Sequence, residues 1–159
     1  MTDSMILSKS VFSKFKEYKM KNIDTSLPVN LPLLFRLRSQ DCEDITVQAS
    51  KDSTGTFKYY TFKEFYEQVI LFALALKELG IKRGDHVALI SDNRREWLIT
   101  DVALLSLGAA DVPRGCDSMG TEIRYIISYA ECTYGFFENT RQLQKVLDNI
   151  QEVPLFKTA

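Results

Sequence analysis

Two glycine-bearing runs in this 159-residue sequence resemble phosphate loops. Gly115 and Gly120 stand at the G-x-x-x-x-G spacing in which successive backbone N–H groups cradle phosphate oxygens. That chemistry needs a lysine immediately afterwards to meet the terminal phosphates, and Thr121 stands there instead. Ser53-Thr54-Gly55-Thr56-Phe57-Lys58 offers hydroxyls and a lysine, but it has one glycine and runs straight into a β-prone segment. Turn composition reads it as a hairpin turn. No G-x-G-x-x-G occurs, so neither nucleotide fingerprint is met.

Nucleophiles and metal ligands are equally sparse. Cys42, Cys116 and Cys132 are far apart, and His86 is the only histidine, so the spacing supports neither a zinc site nor a disulfide framework. A reducing compartment fits this cysteine usage. Arg114 beside Cys116 would lower a thiol pKa, but Asp117 opposes it and no histidine is near in sequence; an inert thiol is expected. His86 opens an apolar run and reads as structural, and Trp97 reads as core. Tyr59, Tyr60, Phe62, Phe65 and Tyr66 form an aromatic cluster with no interleaved basic patch. Base stacking is therefore not indicated, and packing under a helix is.

The elements that would position a site come next. Ile45 to Ala49 alternates like a strand and Phe57 to Tyr60 is β-prone, which predicts a β-hairpin turning between Lys51 and Thr56. Thr61 with Glu64 is a capping box opening a helix that stops at Gly80. His86 to Ser91 reads as a buried strand, and Asn93 with Glu96 repeats the capping signature for a helix ending before Gly108. Ala109 to Pro113 and Thr133 to Phe137 are further strands. Between them, Thr121 to Ala130 carries Ile123, Ile126, Ile127 and Ala130 on one helical face. Asn139 and Gln142 cap a last helix, and Leu155-Phe156-Lys157 begins like another strand. Strands separated by single helices imply an α/β fold, a doubly wound, mostly parallel sheet with flanking helices, preceded by the hairpin.

Open parallel sheets bind ligands at the carboxyl ends of their strands. Those ends carry Asp92-Asn93-Arg94-Arg95, Arg114-Gly115-Cys116-Asp117-Ser118 and Glu138-Asn139-Thr140. Helix amino-termini there, helped by arginine, could hold an anion. Capping is the more usual work of Asn93 and Asn139.

Bulk properties bound the remaining classes. Apolar residues make up 45% and charged residues 26%, with a formal net charge of −1, so nothing indicates a nucleic-acid partner. The longest apolar run, Val69 to Leu76, is far below the ~20 residues of a membrane span. Residues 1–21 form a basic arm with Val11, Phe12, Phe15 and Tyr18 at helical spacing, which suggests weak peripheral contact with an anionic membrane surface. Residues 1–44 are read as this arm and an irregular lead-in containing a short helix near Leu33 to Leu37, and residues 45–159 as an α/β unit.

Six runs in order then resemble the adenylate-forming, AMP-binding superfamily. They are Tyr60-Thr61-Phe62-Lys63-Glu64-Phe65, Ala75 to Gly80, Gly84 to Leu89, Asn93 with Glu96-Trp97, Leu107 to Pro113, and Glu122 to Ile127. The third helix segment, Asn93 with Glu96-Trp97, is most similar to the long-chain fatty acyl-CoA synthetase branch. Arg114 to Ser118 departs from the tyrosine- or proline-rich turn of many members. The resemblance implies two steps: a long-chain fatty acid and ATP give acyl-adenylate, then coenzyme A takes the acyl group. It also implies Mg2+ as a cofactor; the cysteine usage and the basic arm add the expectation of a cytoplasmic enzyme in peripheral contact with the inner membrane surface. The family's Ser/Thr/Gly phosphate loop, acidic partner and carboxyl-terminal lysine have no counterpart in this sequence. No catalytic, cofactor-binding or metal residue is therefore assigned, and the chain is expected to be an amino-terminal part, inactive alone, that self-associates as a homo-oligomer. The alternatives are a free-standing α/β module holding a nucleotide or anion at its strand ends, and an interaction or oligomerisation module.

Overall fold

A computed structural model describes residues 30–157. Helix α1 (Leu31–Asp41) starts at Asn30, whose side chain accepts from the Leu33 N–H at 2.9 Å. Strands β1 (Thr46–Lys51) and β2 (Phe57–Thr61) pair antiparallel as the expected hairpin, with Gln48 opposite Tyr60. Asp52 builds the turn: its Oδ1 accepts from the Thr54 N–H at 2.9 Å, the Thr54 hydroxyl at 2.6 Å and the Thr56 N–H at 3.1 Å. The Thr54 and Thr56 hydroxyls of the phosphate-loop mimic are thus engaged within the turn itself.

Helix α2 (Phe62–Glu78) carries the expected capping box, Thr61 and Glu64 exchanging bonds in both directions. Strand β3 (His86–Ile90), helix α3 (Arg95–Leu107), strand β4 (Ala110–Arg114), helix α4 (Gly120–Tyr129), strand β5 (Tyr134–Phe137) and helix α5 (Thr140–Leu147) follow. The three strands form a parallel sheet in the order β4-β3-β5. β3 is central and buried on both faces, hence its unbroken apolar run. Val87 faces a core with Phe65, Val69, Leu76, Val102 and Leu104 of α2 and α3. Ala88 and Ile90 face a second core with Ile123, Ile127 and Val146 of α4 and α5. Helices on both faces make the sheet doubly wound.

Several local expectations need correction. Asn93 does not cap α3: Arg94 occupies the cap position without a side-chain bond, and Glu96 instead accepts from Arg94 Nε at 2.8 Å. At α5, the Asn139 cap is present, but Gln142 does not reciprocate; its Oε1 is buried without a donor. Leu155 to Lys157 forms no strand. Pro154 lacks an N–H to donate, the Phe156 and Phe137 rings pack in a T-shape, and one backbone bond joins Lys157 N–H to Thr133 O at 2.7 Å. Of the aromatic cluster, Phe65 is core and Phe62 and Tyr66 pack with Phe35, whereas Tyr59 is exposed and stands beside Phe57. Trp97 is half-buried at the edge of a cleft rather than in either core.

Candidate functional site

The three strand ends named from sequence do converge. Asp92, Cys116 and Glu138, one from each loop, hold their ligand atoms within 4.8 Å of one another. Their hydrogen bonds explain the convergence. Glu138 Oε2 accepts from the Asp92 N–H at 2.9 Å, the Ser91 hydroxyl at 3.2 Å and the Cys116 thiol at 3.4 Å. Asp92 Oδ1 accepts from the Cys116 N–H at 2.9 Å. The backbone donor at Asp92, then the thiol, holds the Glu138 carboxyl below its usual range. Burial, followed by the Glu138 contact, pushes the Cys116 thiol up, which keeps it protonated and inert. This cluster is a clasp joining the three loops.

A second clasp lies beneath it. Lys145 Nζ donates to Cys116 O at 2.8 Å and Ser118 O at 2.7 Å. Buried Arg124 donates from Nη1 to Lys145 O at 2.6 Å and from Nε to Glu152 at 2.7 Å. The Gly115–Gly120 spacing has a packing origin: a Cβ at Gly120 would lie 2.9 Å from Arg124 Nη1 and 3.1 Å from Lys145 O. The segment's Cys116 and Ser118 carbonyls are thus held by Lys145, and Gly120 is glycine because Arg124 and Lys145 press against it.

His86 is structural as expected, its Nδ1 lying 2.6 Å from Ala130 O. Arg94 and Arg95 diverge in role. Arg94 is bound to Glu96, whereas Arg95 places its guanidinium over the Tyr60 ring, 4.0 Å from the centroid. Both line a cleft of about 790 Å³ between the hairpin and the start of α3, bordered by Gln48, Lys58, Trp97 and Glu138. Sequence reasoning grouped Arg95 with the strand ends but missed its partnership with the hairpin. The alternation that puts Gln48 and Tyr60 on one hairpin face was the available signal.

A model of the AMP-binding enzyme family matches residues 39–158. The chain belongs to the AMP-binding enzyme family. Among relatives, the chain is 31% identical over 103 residues to the long-chain-fatty-acid–CoA ligase FadD15 of Mycobacterium tuberculosis, covering 65% of this chain and 17% of that protein. It is 28% identical over 130 residues to the long-chain-fatty-acid–CoA ligase ACSBG2 of Xenopus laevis, covering 82% of this chain and 18% of that protein. The chain thus spans less than a fifth of the length of these relatives. Among solved structures, the anthranilate CoA ligase AuaEII with anthranoyl-AMP superposes with a TM-score of 0.71 at 19% identity, over 85% of this chain and 25% of that one. The amino-terminal domain of FACL13 from Mycobacterium tuberculosis gives 0.70 at 20% identity, over 80% and 32%. These two likenesses establish the fold, an α/β unit with a parallel sheet between helices.

Proposed function

We propose that this AMP-binding family chain is the amino-terminal part of a long-chain fatty acid–CoA ligase. In that reaction a fatty carboxylate attacks the α-phosphorus of ATP, expelling pyrophosphate, and the coenzyme A thiol then displaces AMP from the acyl-adenylate. The observation that carries the substrate class is the 130-residue match to ACSBG2, a ligase named for long-chain fatty acids. ATP, Mg2+ and coenzyme A belong to this reading of the whole enzyme. In the strand-end loops the clasps already engage the Asp92 and Cys116 N–H groups and the Cys116 and Ser118 carbonyls. No chemical step is therefore assigned to residues of this chain.

Its contribution is positional. The two clasps fix the three loops at one edge of the sheet, and a rigid edge is what an adjoining catalytic unit needs for alignment. We extend the proposal to the domain division, with residues 1–44 as arm and lead-in and 45–159 as the α/β unit. It also extends to a cytoplasmic enzyme in weak contact with anionic membrane through residues 1–21, which lie outside the described residues. Among the described residues no helix is long and apolar enough to cross a membrane.

Pyrophosphate exchange into ATP by the intact protein tests the substrate class. Exchange that depends on palmitate and is absent with anthranilate is expected. Exchange driven by aryl carboxylates but not by fatty acids would replace the fatty-acid reading with an aryl-CoA ligase.

A further inference from the structure

We propose that Arg95 and Gln48 form the inner end of a binding site for a small oxyanion, a carboxylate or phosphate group whose bearer also donates a hydrogen bond. The proposal is independent of the ligase reading. Arg95 is the first residue of α3, just past the carboxyl end of β3, the side on which open parallel sheets gather ligands. Tyr60, whose ring lies under the guanidinium, pairs directly with Gln48 across the hairpin, so Gln48 stands on the same face.

Arg95 Nε and Nη2 are buried without an acceptor, and Gln48 Oε1 is buried without a donor. Nε and Nη2 are the two nitrogens whose N–H bonds point the same way. They form the fork that grips both oxygens of one carboxylate or two of a phosphate. Both residues line the same cleft of about 790 Å³.

The neighbouring acids do not fill the fork. Glu96 is bonded to Arg94, and Glu64 to the Thr61 N–H and hydroxyl. Asp52 holds the hairpin turn, and Glu138 holds the loops. A buried pair of guanidinium donors without an acceptor is unfavourable, and an oxyanion relieves it in one step. Gln48 Oε1 then selects for a ligand with an O–H or N–H beside that group, as protonated phosphate itself has. The anion-binding reading of the strand ends thus rests on a side-chain fork rather than on helix N–H groups. The three atoms are shielded from bulk water, so a ligand enters by displacing the side chains over them.

The test is equilibrium dialysis of the intact protein against inorganic phosphate and, separately, glycolate, whose hydroxyl supplies the donor, with the Arg95 Nε–H resonance followed by NMR. A saturable shift of that resonance is expected. Arg95→Lys keeps the charge but loses the fork, and should weaken binding about tenfold or more. Gln48→Glu supplies a competing carboxylate beside the fork; it should abolish the response and raise the melting temperature, which keeps the proposal testable if Arg95→Lys folds poorly. A response to phosphate alone assigns a phosphate-bearing ligand, and one to glycolate alone a carboxylate. An unmoved resonance means that the fork holds ordered water. Binding that both substitutions leave intact means an adventitious ion only. Either result overturns the proposal.

Discussion

Asp101 and Asp111 show how a single side-chain pair ties this fold to pH. Burial first, and then the charge and hydrogen bond of Asp111, push the Asp101 carboxyl up to about 6. Between about pH 4 and 6 the folded chain keeps a proton that the unfolded chain has released, so this group's contribution to stability falls as pH rises through that window. Asp101→Asn should remove the loss. Urea unfolding at pH 5 and pH 8 should show the variant gaining on the parent at the higher pH by about 1 kcal/mol, a figure discounted for the solvent around a half-buried pair. Glu138 is the opposite case. Its carboxyl is held low, so its contribution is present above the ordinary carboxylate pKa and lost as pH falls through the folded value. Glu138→Ala should speed hydrogen exchange at the Asp92 amide by about tenfold, loosening the clasp without unfolding the sheet. Neither carboxylate role was legible in the sequence. Asp101 and Asp111 come from different elements, and Glu138 meets Asp92 only through a pairing 46 residues apart.

Elements were far more legible than side-chain partners, because they depend on local residue order. The capping box of Thr61 and Glu64, the glycine stop at Gly108 and the Asp52 turn are all written within four residues. Thr61→Ala should cost about 1 kcal/mol of stability in denaturant unfolding. Gly108→Ala should cost about 1–2 kcal/mol, since φ is +75° and a Cβ would sit 3.1 Å from Arg83 Cγ. The Asn93 expectation failed for a readable reason. The Glu138 bond to the Asp92 N–H is part of the clasp that sets the path after β3, and the helix starts one residue later than the local pattern suggests. Lys58, at the decoy loop, is paired with Asp52 at 3.8 Å, and Lys58→Ala should leave turnover of the intact enzyme near normal.

The two most apolar helices part company at the scale of the whole molecule. In sequence both are apolar round much of their circumference, Val69 to Leu76 without interruption and Trp97 to Leu107 with only Thr100, Asp101 and Ser106 polar, which predicts burial on two sides. α3 achieves this within the chain, with Ile99, Thr100, Val102, Ala103 and Leu104 all buried. α2 buries Phe65, Val69, Ala73 and Leu76 but leaves Leu71 67% and Leu74 56% exposed, with Ile70 beside them. Covering side chains of this size is worth roughly 1.5–3 kcal/mol each. Light scattering over a concentration series should show the isolated chain associating, and Leu71→Glu with Leu74→Glu should return it to a monomer. A monomeric parent at high concentration would remove this face as the cause.

The order β4-β3-β5 also sets a schedule for synthesis on the ribosome. β3 leaves the exit tunnel first, yet its two edges are claimed by strands that arrive later and on opposite sides. β4 follows after one helix and closes the first edge. The second stays open until Phe137 has emerged, some fifty residues after the strand began. At bacterial or eukaryotic elongation rates of ~5–20 residues per second that is a wait of several seconds. For that interval the nascent chain carries an apolar strand with one free edge, the form of polypeptide that holding chaperones capture.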